Sequence, residues 1–150
     1  MTDLKRVLFI CVENAARSLM AEAMFNQDVP MGWTATSAGT SPATSPHPRT
    51  QRMLQEIGLE LPDHLPRLLS TAEMEGARIR ITMGCLDDAA CPARLKTLEL
   101  RDWGLPDPTK LDDDGFRRVR DELASRVRGL KTEIISLERR TQSLTGPAPA

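Results

Sequence analysis

The apolar positions along the chain fall into runs of two kinds. Short β-branched or aromatic stretches predict strands: Val7-Leu8-Phe9-Ile10, Trp33 to Ala38 ending at Gly39, and the alternating Arg78-Ile79-Arg80-Ile81-Thr82-Met83. Leu98 to Leu100 predicts a weaker fourth strand. Between them, apolar residues recur at helical spacing. Leu19, Met20, Ala23 and Met24 mark a helix from Ser18 to Gln27, and Met53, Leu54 and Ile57 mark one from Thr50 to Ile57, stopped by Gly58. Ser70 followed by Glu73 has the form of a capping box opening a short helix. The longest periodic stretch runs from Asp112 to Leu137, with a stripe of Phe116, Val119, Leu123, Val127, Leu130 and Ile134; its arginines predict a solvated face. Residues 40–48 and 61–69 read as loops broken by proline. From Thr141 the chain is small and poor in apolar residues, so the expectation is one domain over residues 1–140 and a disordered tail over 141–150. Alternating strands and helices imply an α/β fold: a parallel sheet with helices on both faces.

The turn after the first strand carries the candidate chemistry. It reads Cys11-Val12-Glu13-Asn14-Ala15-Ala16-Arg17-Ser18 and runs straight into the first helix. A strand turning tightly into a helix aims backbone N–H groups at one spot, where the helix dipole adds partial positive charge. That arrangement binds a tetrahedral oxyanion. Arg17 forks two of its oxygens, Cys11 lies beneath its central atom, and the positive field favours the thiolate, the form that attacks. Ser18 is placed to donate its hydroxyl to that sulfur, and Asn14 tolerates the left-handed backbone such a loop needs. Glu13 is unusual there, because an acidic side chain must point away from the anion or weaken its binding.

Composition narrows the classes. The chain has 150 residues, a formal charge of −1, three cysteines and no tyrosine. That charge gives no global field for nucleic acid or an anionic membrane. No apolar stretch approaches the length of a transmembrane span, and the chain enters its first strand without a signal peptide, so a cytoplasmic protein is expected. In a reducing compartment, Cys11, Cys85 and Cys91 read as reactive thiols. With His47 and His64 they lack the paired spacing of a zinc site, and neither metal nor cofactor is expected. Gly84 before Cys85 suggests a turn leaving the third strand, and Asp87-Asp88 an exposed segment. Asp107-Pro108 has the form of a turn starter.

Taken together, Cys11 to Ser18 with Ala21-Glu22, and Asp107-Pro108 near the end, closely resemble the low-molecular-weight protein tyrosine phosphatase superfamily, including its arsenate reductase branch. The resemblance implies a three-layer αβα sandwich around a four-stranded parallel sheet in order 2-1-3-4, with the site at the carboxyl ends of the strands. It implies that Val12 to Arg17 bind the oxyanion, that Cys11 is the nucleophile, and that Asp107 is the general acid. Trp103-Gly104 ahead of Asp107 resembles the reductase branch, and Thr109-Lys110 stand where phosphatases usually carry substrate-gripping tyrosines. Cys85 and Cys91-Pro92 resemble the thiol relay of thioredoxin-coupled arsenate reductases, one residue closer in spacing, with Gly84 where their second cysteine stands.

The leading expectation is therefore arsenate reduction through Cys11, Cys85 and Cys91, with arsenate or phosphate as the bound oxyanion and thioredoxin or another thiol as reductant. Hydrolysis of phosphotyrosine or small phosphomonoesters by Cys11, Arg17 and Asp107 is the alternative, and an oxyanion-binding module without activity the third. No nucleic acid or membrane partner is expected, and the chain is expected to act as a monomer. Asn14, Glu22 and Ser37 match positions that help bind potassium in certain arsenate reductases, but the polar ligands expected near Leu65 and Arg67 are missing, and Arg67 is expected to place a fixed charge there instead. If residues 86–90 are helical in the reduced protein, six positions mean a rise of about 9 Å. A disulfide needs Cα atoms within about 7 Å, so oxidation would have to unwind that segment.

Overall fold

β1 (Lys5–Cys11) runs through the centre of the molecule, and five consecutive residues from Val7 to Cys11 are buried. A strand covered on both faces needs no polar alternation, which is why its sequence reads as an unbroken apolar run. The structure is a computed structural model that describes residues 4–84 and 99–145. β1 pairs with β2 (Trp33–Gly39) on one side and β3 (Ile79–Thr82) on the other, and β3 pairs with β4 (Arg101–Asp102). All pairings are parallel and the order is β2-β1-β3-β4, as the resemblance implies.

Helices cover both faces. Val7, Phe9 and Cys11 point into the larger core, shared with α1 (Arg17–Asn26), α2 (Pro48–Gln55) and the long α4 (Asp113–Thr145). Leu8 and Ile10 point the other way, into a smaller cluster with Met74 and Ala77 at α3 (Thr71–Gly76). Every residue of the predicted stripe on α4, from Phe116 to Ile134, is buried. At α3, Ser70 Oγ accepts the Glu73 N–H at 3.1 Å, so the cap read from sequence is present.

Four features differ from the sequence expectation. β4 forms at Arg101–Asp102, beyond the expected Leu98 to Leu100. It is a sheet edge, where charged side chains are tolerated and guard against stray pairing, and Arg101 spends its charge on a two-pronged ion pair with Glu133 at 2.7 and 2.9 Å. α2 begins two residues early because Pro48 occupies its first turn and His47 Nδ1 accepts the Arg49 N–H at 3.2 Å. α4 continues to Thr145, so residues 141–145 are helical, not tail; residues 146–150 lie outside the described residues. Finally, not all arginines of α4 are solvated. Arg120 is only 7% exposed and donates to the Met53 carbonyl, Glu56 and Asp121 at 3.0, 2.6 and 2.9 Å.

Candidate active site

The carboxyl end of β1 delivers Cys11 to the base of a loop that closes at Arg17, the first residue of α1. Asn14 turns the loop with φ of +52°, a left-handed conformation that asparagine adopts more readily than most residues. Gly39 at the end of β2 lets it pass closely: a Cβ there would stand 2.5 Å from the Val12 carbonyl oxygen. The loop is further tied down at Ala15, whose carbonyl accepts from Thr50 Oγ1 at 2.8 Å and from the His47 N–H at 3.0 Å. Nothing in the sequence reading pointed to His47 or Thr50; the His-Pro pair that starts α2 was the available signal.

Cys11 Sγ receives two contacts from within the loop, the Asn14 N–H at 3.2 Å and Ser18 Oγ at 2.9 Å. The direction of the second follows from its neighbours. Asn14 Oδ1 accepts the Arg67 N–H at 3.1 Å, which fixes the amide. Its Nδ2 then donates to Ser18 Oγ at 2.6 Å and to Ser37 Oγ at 3.0 Å. Accepting from Asn14, Ser18 keeps its own hydrogen free, and toward a Cys11 thiolate, which has no hydrogen of its own, Ser18 is the donor. Ser37 in turn donates to Glu22 Oε1 at 2.6 Å.

Arg17 is 7% exposed, and its Nη1 donates to the carbonyls of Met83 at 3.2 Å and Leu105 at 2.8 Å. These carbonyls belong to the segments leaving β3 and β4, so one guanidinium joins the loop after β1 to both. Asp107 stands beside it. Burial pushes the Asp107 carboxyl up, but the hydroxyl and amide of Thr109, with Arg17 and Lys110 nearby, hold it net below its ordinary value. The cavity between these elements measures about 300 Å³ and is lined by Cys11, Val12, Glu13, Ala15, Ala16 and Arg17 of the loop, facing Asp107, Thr109 and Lys110. Asn14 does not line it; its side chain works behind the loop. Cys85 and Cys91 lie outside the described residues. A larger groove of about 550 Å³ between α1 and α4 has no thiol or hydroxyl among its described lining residues and presents Lys131, whose Nζ donates to the α1 carbonyl of Met24 at 2.8 Å.

Asn14, Glu22 and Ser37 do converge, but the protein's own donors occupy them. Both Glu22 oxygens face His64 Nε2, at 2.9 and 3.0 Å. Arg67 Nε donates to the Ser37 carbonyl at 3.0 Å, and the same guanidinium pairs with Glu73. Arg67 thus brings a charge to this place, as expected, while His64, to which the sequence reading gave no role, meets the buried carboxylate. Oxygens already engaged in this way do not fit a potassium ion.

Comparison with known proteins agrees with this geometry. The family profile described as low molecular weight phosphotyrosine protein phosphatase matches residues 6–142. A relative named putative arsenate reductase, from Halobacterium salinarum, is 33% identical over 79% of this chain and 85% of its own. A solved structure described as an arsenate reductase in the phosphate binding state superposes with a TM-score of 0.74 at 27% identity, over 87% of this chain and 99% of that one. The thioredoxin-dependent arsenate reductase of Corynebacterium glutamicum gives a TM-score of 0.72 at 31% identity, over 91% of this chain and 64% of that one.

Proposed function

The chain belongs to the low molecular weight phosphotyrosine protein phosphatase family, and from that premise we propose that it is an arsenate reductase of the thioredoxin-coupled kind. One observation carries the reading. Cys11, Arg17 and Asp107 share a cavity whose far wall is Thr109 and Lys110, and none of its described lining residues carries an aromatic ring to grip a phosphotyrosine. A family member without that grip suits a free oxyanion. The two further cysteines, and relatives named arsenate reductase, support the choice of arsenate.

In this reading the Cys11 thiolate attacks arsenic, a sulfur–arsenic bond forms, and an arsenic–oxygen bond breaks with loss of water. Arg17 and the N–H groups of the loop hold the remaining oxygens, and Asp107 is the proton donor where the departing oxygen needs one. Cys85 then attacks the Cys11 sulfur. The electron pair of the sulfur–arsenic bond stays on arsenic, which leaves as arsenite, and a Cys11–Cys85 disulfide remains. Cys91 attacks Cys85, frees Cys11, and leaves a Cys85–Cys91 disulfide for reduction by thioredoxin. The chain works as a monomer in this scheme.

Arsenate-dependent oxidation of NADPH in the presence of thioredoxin and thioredoxin reductase tests the proposal, run beside hydrolysis of p-nitrophenyl phosphate. Turnover on arsenate with weak ester hydrolysis is the expected result. Efficient ester hydrolysis with no arsenate turnover would establish the second reading, a small-phosphomonoester phosphatase using Cys11, Arg17 and Asp107, which the family itself favours. Because His64 and Arg67 occupy the oxygens around Glu22 and Ser37, rates are expected to be equal in potassium and in an organic cation of matched ionic strength. A several-fold stimulation by potassium would contradict that.

A further inference from the structure

Asp107 opens the 3-10 turn Pro108–Lys110, and one of its oxygens is doubly engaged. Thr109 donates its hydroxyl to Oδ1 at 2.7 Å and its backbone N–H to the same atom at 3.0 Å. The turn that carries Thr109 is held in place from α2. Arg49 Nη2 donates to the carbonyls of Thr109 at 3.2 Å and Pro108 at 3.5 Å, while its Nη1 pairs with Asp113 at 3.1 Å. The same guanidinium lies 4.9 Å from the ring centre of the buried Phe116.

A carboxyl oxygen accepting two hydrogen bonds has no lone pair left for a proton, so an acidic hydrogen on Asp107 must sit on Oδ2. Both donors favour the carboxylate over the acid. The charged groups around it are Arg17 and Lys110, which add to that preference, and Cys11 and Glu13 in the same cavity.

We propose that Thr109 is a specificity-determining residue: by donating twice to one oxygen of Asp107 it makes that carboxyl a poorer proton donor, and so favours oxyanions that bring their own transferable protons over phosphate monoesters. The proposal rests on the roles given above to Cys11 and Asp107. Its basis is a proton balance. A thiolate and dihydrogen arsenate, which near neutrality coexists with hydrogen arsenate, give the sulfur–arsenic adduct, with two negative charges, and one water. Both hydrogens of that water come from the substrate, and none is drawn from the protein. A phosphate monoester has its second ionisation near pH 6, so near neutrality it is mostly a dianion without a proton. Its sulfur–phosphorus bond forms as the phosphorus–oxygen bond breaks, and the departing alkoxide or phenoxide must take a proton from Asp107. A carboxyl whose anion is stabilised by two donors from Thr109 seldom carries one to give. Thr109 is a positioning residue here, acting only through Asp107.

Thr109→Val removes the hydroxyl and keeps the amide, and Thr109→Ser restores the hydroxyl. Carbon-13 NMR titration of the Asp107 carboxyl is expected to move to higher pH in Thr109→Val and to return in Thr109→Ser. The ratio of phenyl phosphate hydrolysis to arsenate reduction at pH 7.5 is expected to rise several-fold in Thr109→Val, with the basic limb of the hydrolysis profile moved in the same direction. An Asp107 titration unchanged in folded Thr109→Val, or a ratio that stays level although the titration moves, overturns the proposal. Asp107→Asn separates it from the reading beneath it. If Asp107→Asn leaves phenyl phosphate hydrolysis and its pH profile unaltered, Asp107 is not the proton donor and both fail. If Asp107→Asn abolishes hydrolysis while Thr109→Val behaves as the parent, only the role of Thr109 falls.

Discussion

At the scale of single residues, the nucleophile's environment is set by directionality as much as by distance. Ser18 has a neighbour on either side, and because Asn14 donates to it its own hydrogen is free to turn to Cys11. Hydrogen bonds to charged groups contribute about 1.5–3 kcal/mol. Ser18→Ala is therefore expected to slow alkylation of Cys11 by iodoacetamide at neutral pH by about tenfold or more, because the sulfur loses a hydrogen-bond partner. An unchanged rate would mean that the Asn14 N–H and the loop's field suffice alone. Of the residues in this shell, Cys11, Asn14, Arg17, Ser18 and Asp107 were legible in the sequence because their types and spacing form one motif. His64, Thr50 and Arg49 were not. Their roles come from contacts 42, 35 and 60 positions away along the chain, with Glu22, Ala15 and Thr109, and no local pattern encodes such separations.

At the scale of elements, the loops leaving β3 and β4 are built around two glycines. Gly84 has φ of +85° and Gly104 φ of +58°, and a Cβ on Gly84 would stand 2.5 Å from the Gly104 Cα. Any side chain at position 84 would meet that backbone, which is why a glycine stands there. Gly84→Ala is expected to destabilise the fold by about 2 kcal/mol or more, from a left-handed alanine and a backbone overlap. Denaturant unfolding measures it, and a loss under about 0.5 kcal/mol, the size of an ordinary surface substitution, would show that the two loops part easily. The proposed relay belongs to this scale too. Cys91→Ser is expected to reduce one equivalent of arsenate and stop with Cys11 joined to Cys85, whereas Cys85→Ser retains the arsenic. Peptide mapping after a single equivalent distinguishes these states. Multiple turnovers by Cys91→Ser with thioredoxin would refute a three-cysteine relay. Periodicity identified the helices and central strands well, because burial writes itself into apolar spacing. It misplaced β4, where a charged edge carries no such record.

At the scale of the whole molecule, α4 is the element that unites the sheet's larger face, and its attachment to α2 is electrostatic as well as apolar. Glu56, just after α2, takes a two-pronged pair from Arg117 with both contacts at 2.9 Å, and a 2.6 Å contact from the buried Arg120. Those hydrogen bonds, from Arg117 first and then Arg120, lower the Glu56 carboxyl from 4.5 to about 2. The sign of the consequence is fixed by linkage. A carboxyl depressed in the folded state stabilises the fold fully above its unfolded value, and that contribution fades as pH falls toward the folded one. Glu56→Gln should therefore melt at a lower temperature than the parent at pH 6–7, and the difference should narrow below about 4.5 and close as pH nears about 2. The contact is solvent-facing on the Arg117 side, so added salt should weaken that part of it, whereas the buried Arg120 is screened less. A melting difference independent of pH over that range would show that Glu56→Gln acts through packing or hydrogen bonding alone, and that the charge of Glu56 does not join α2 to α4.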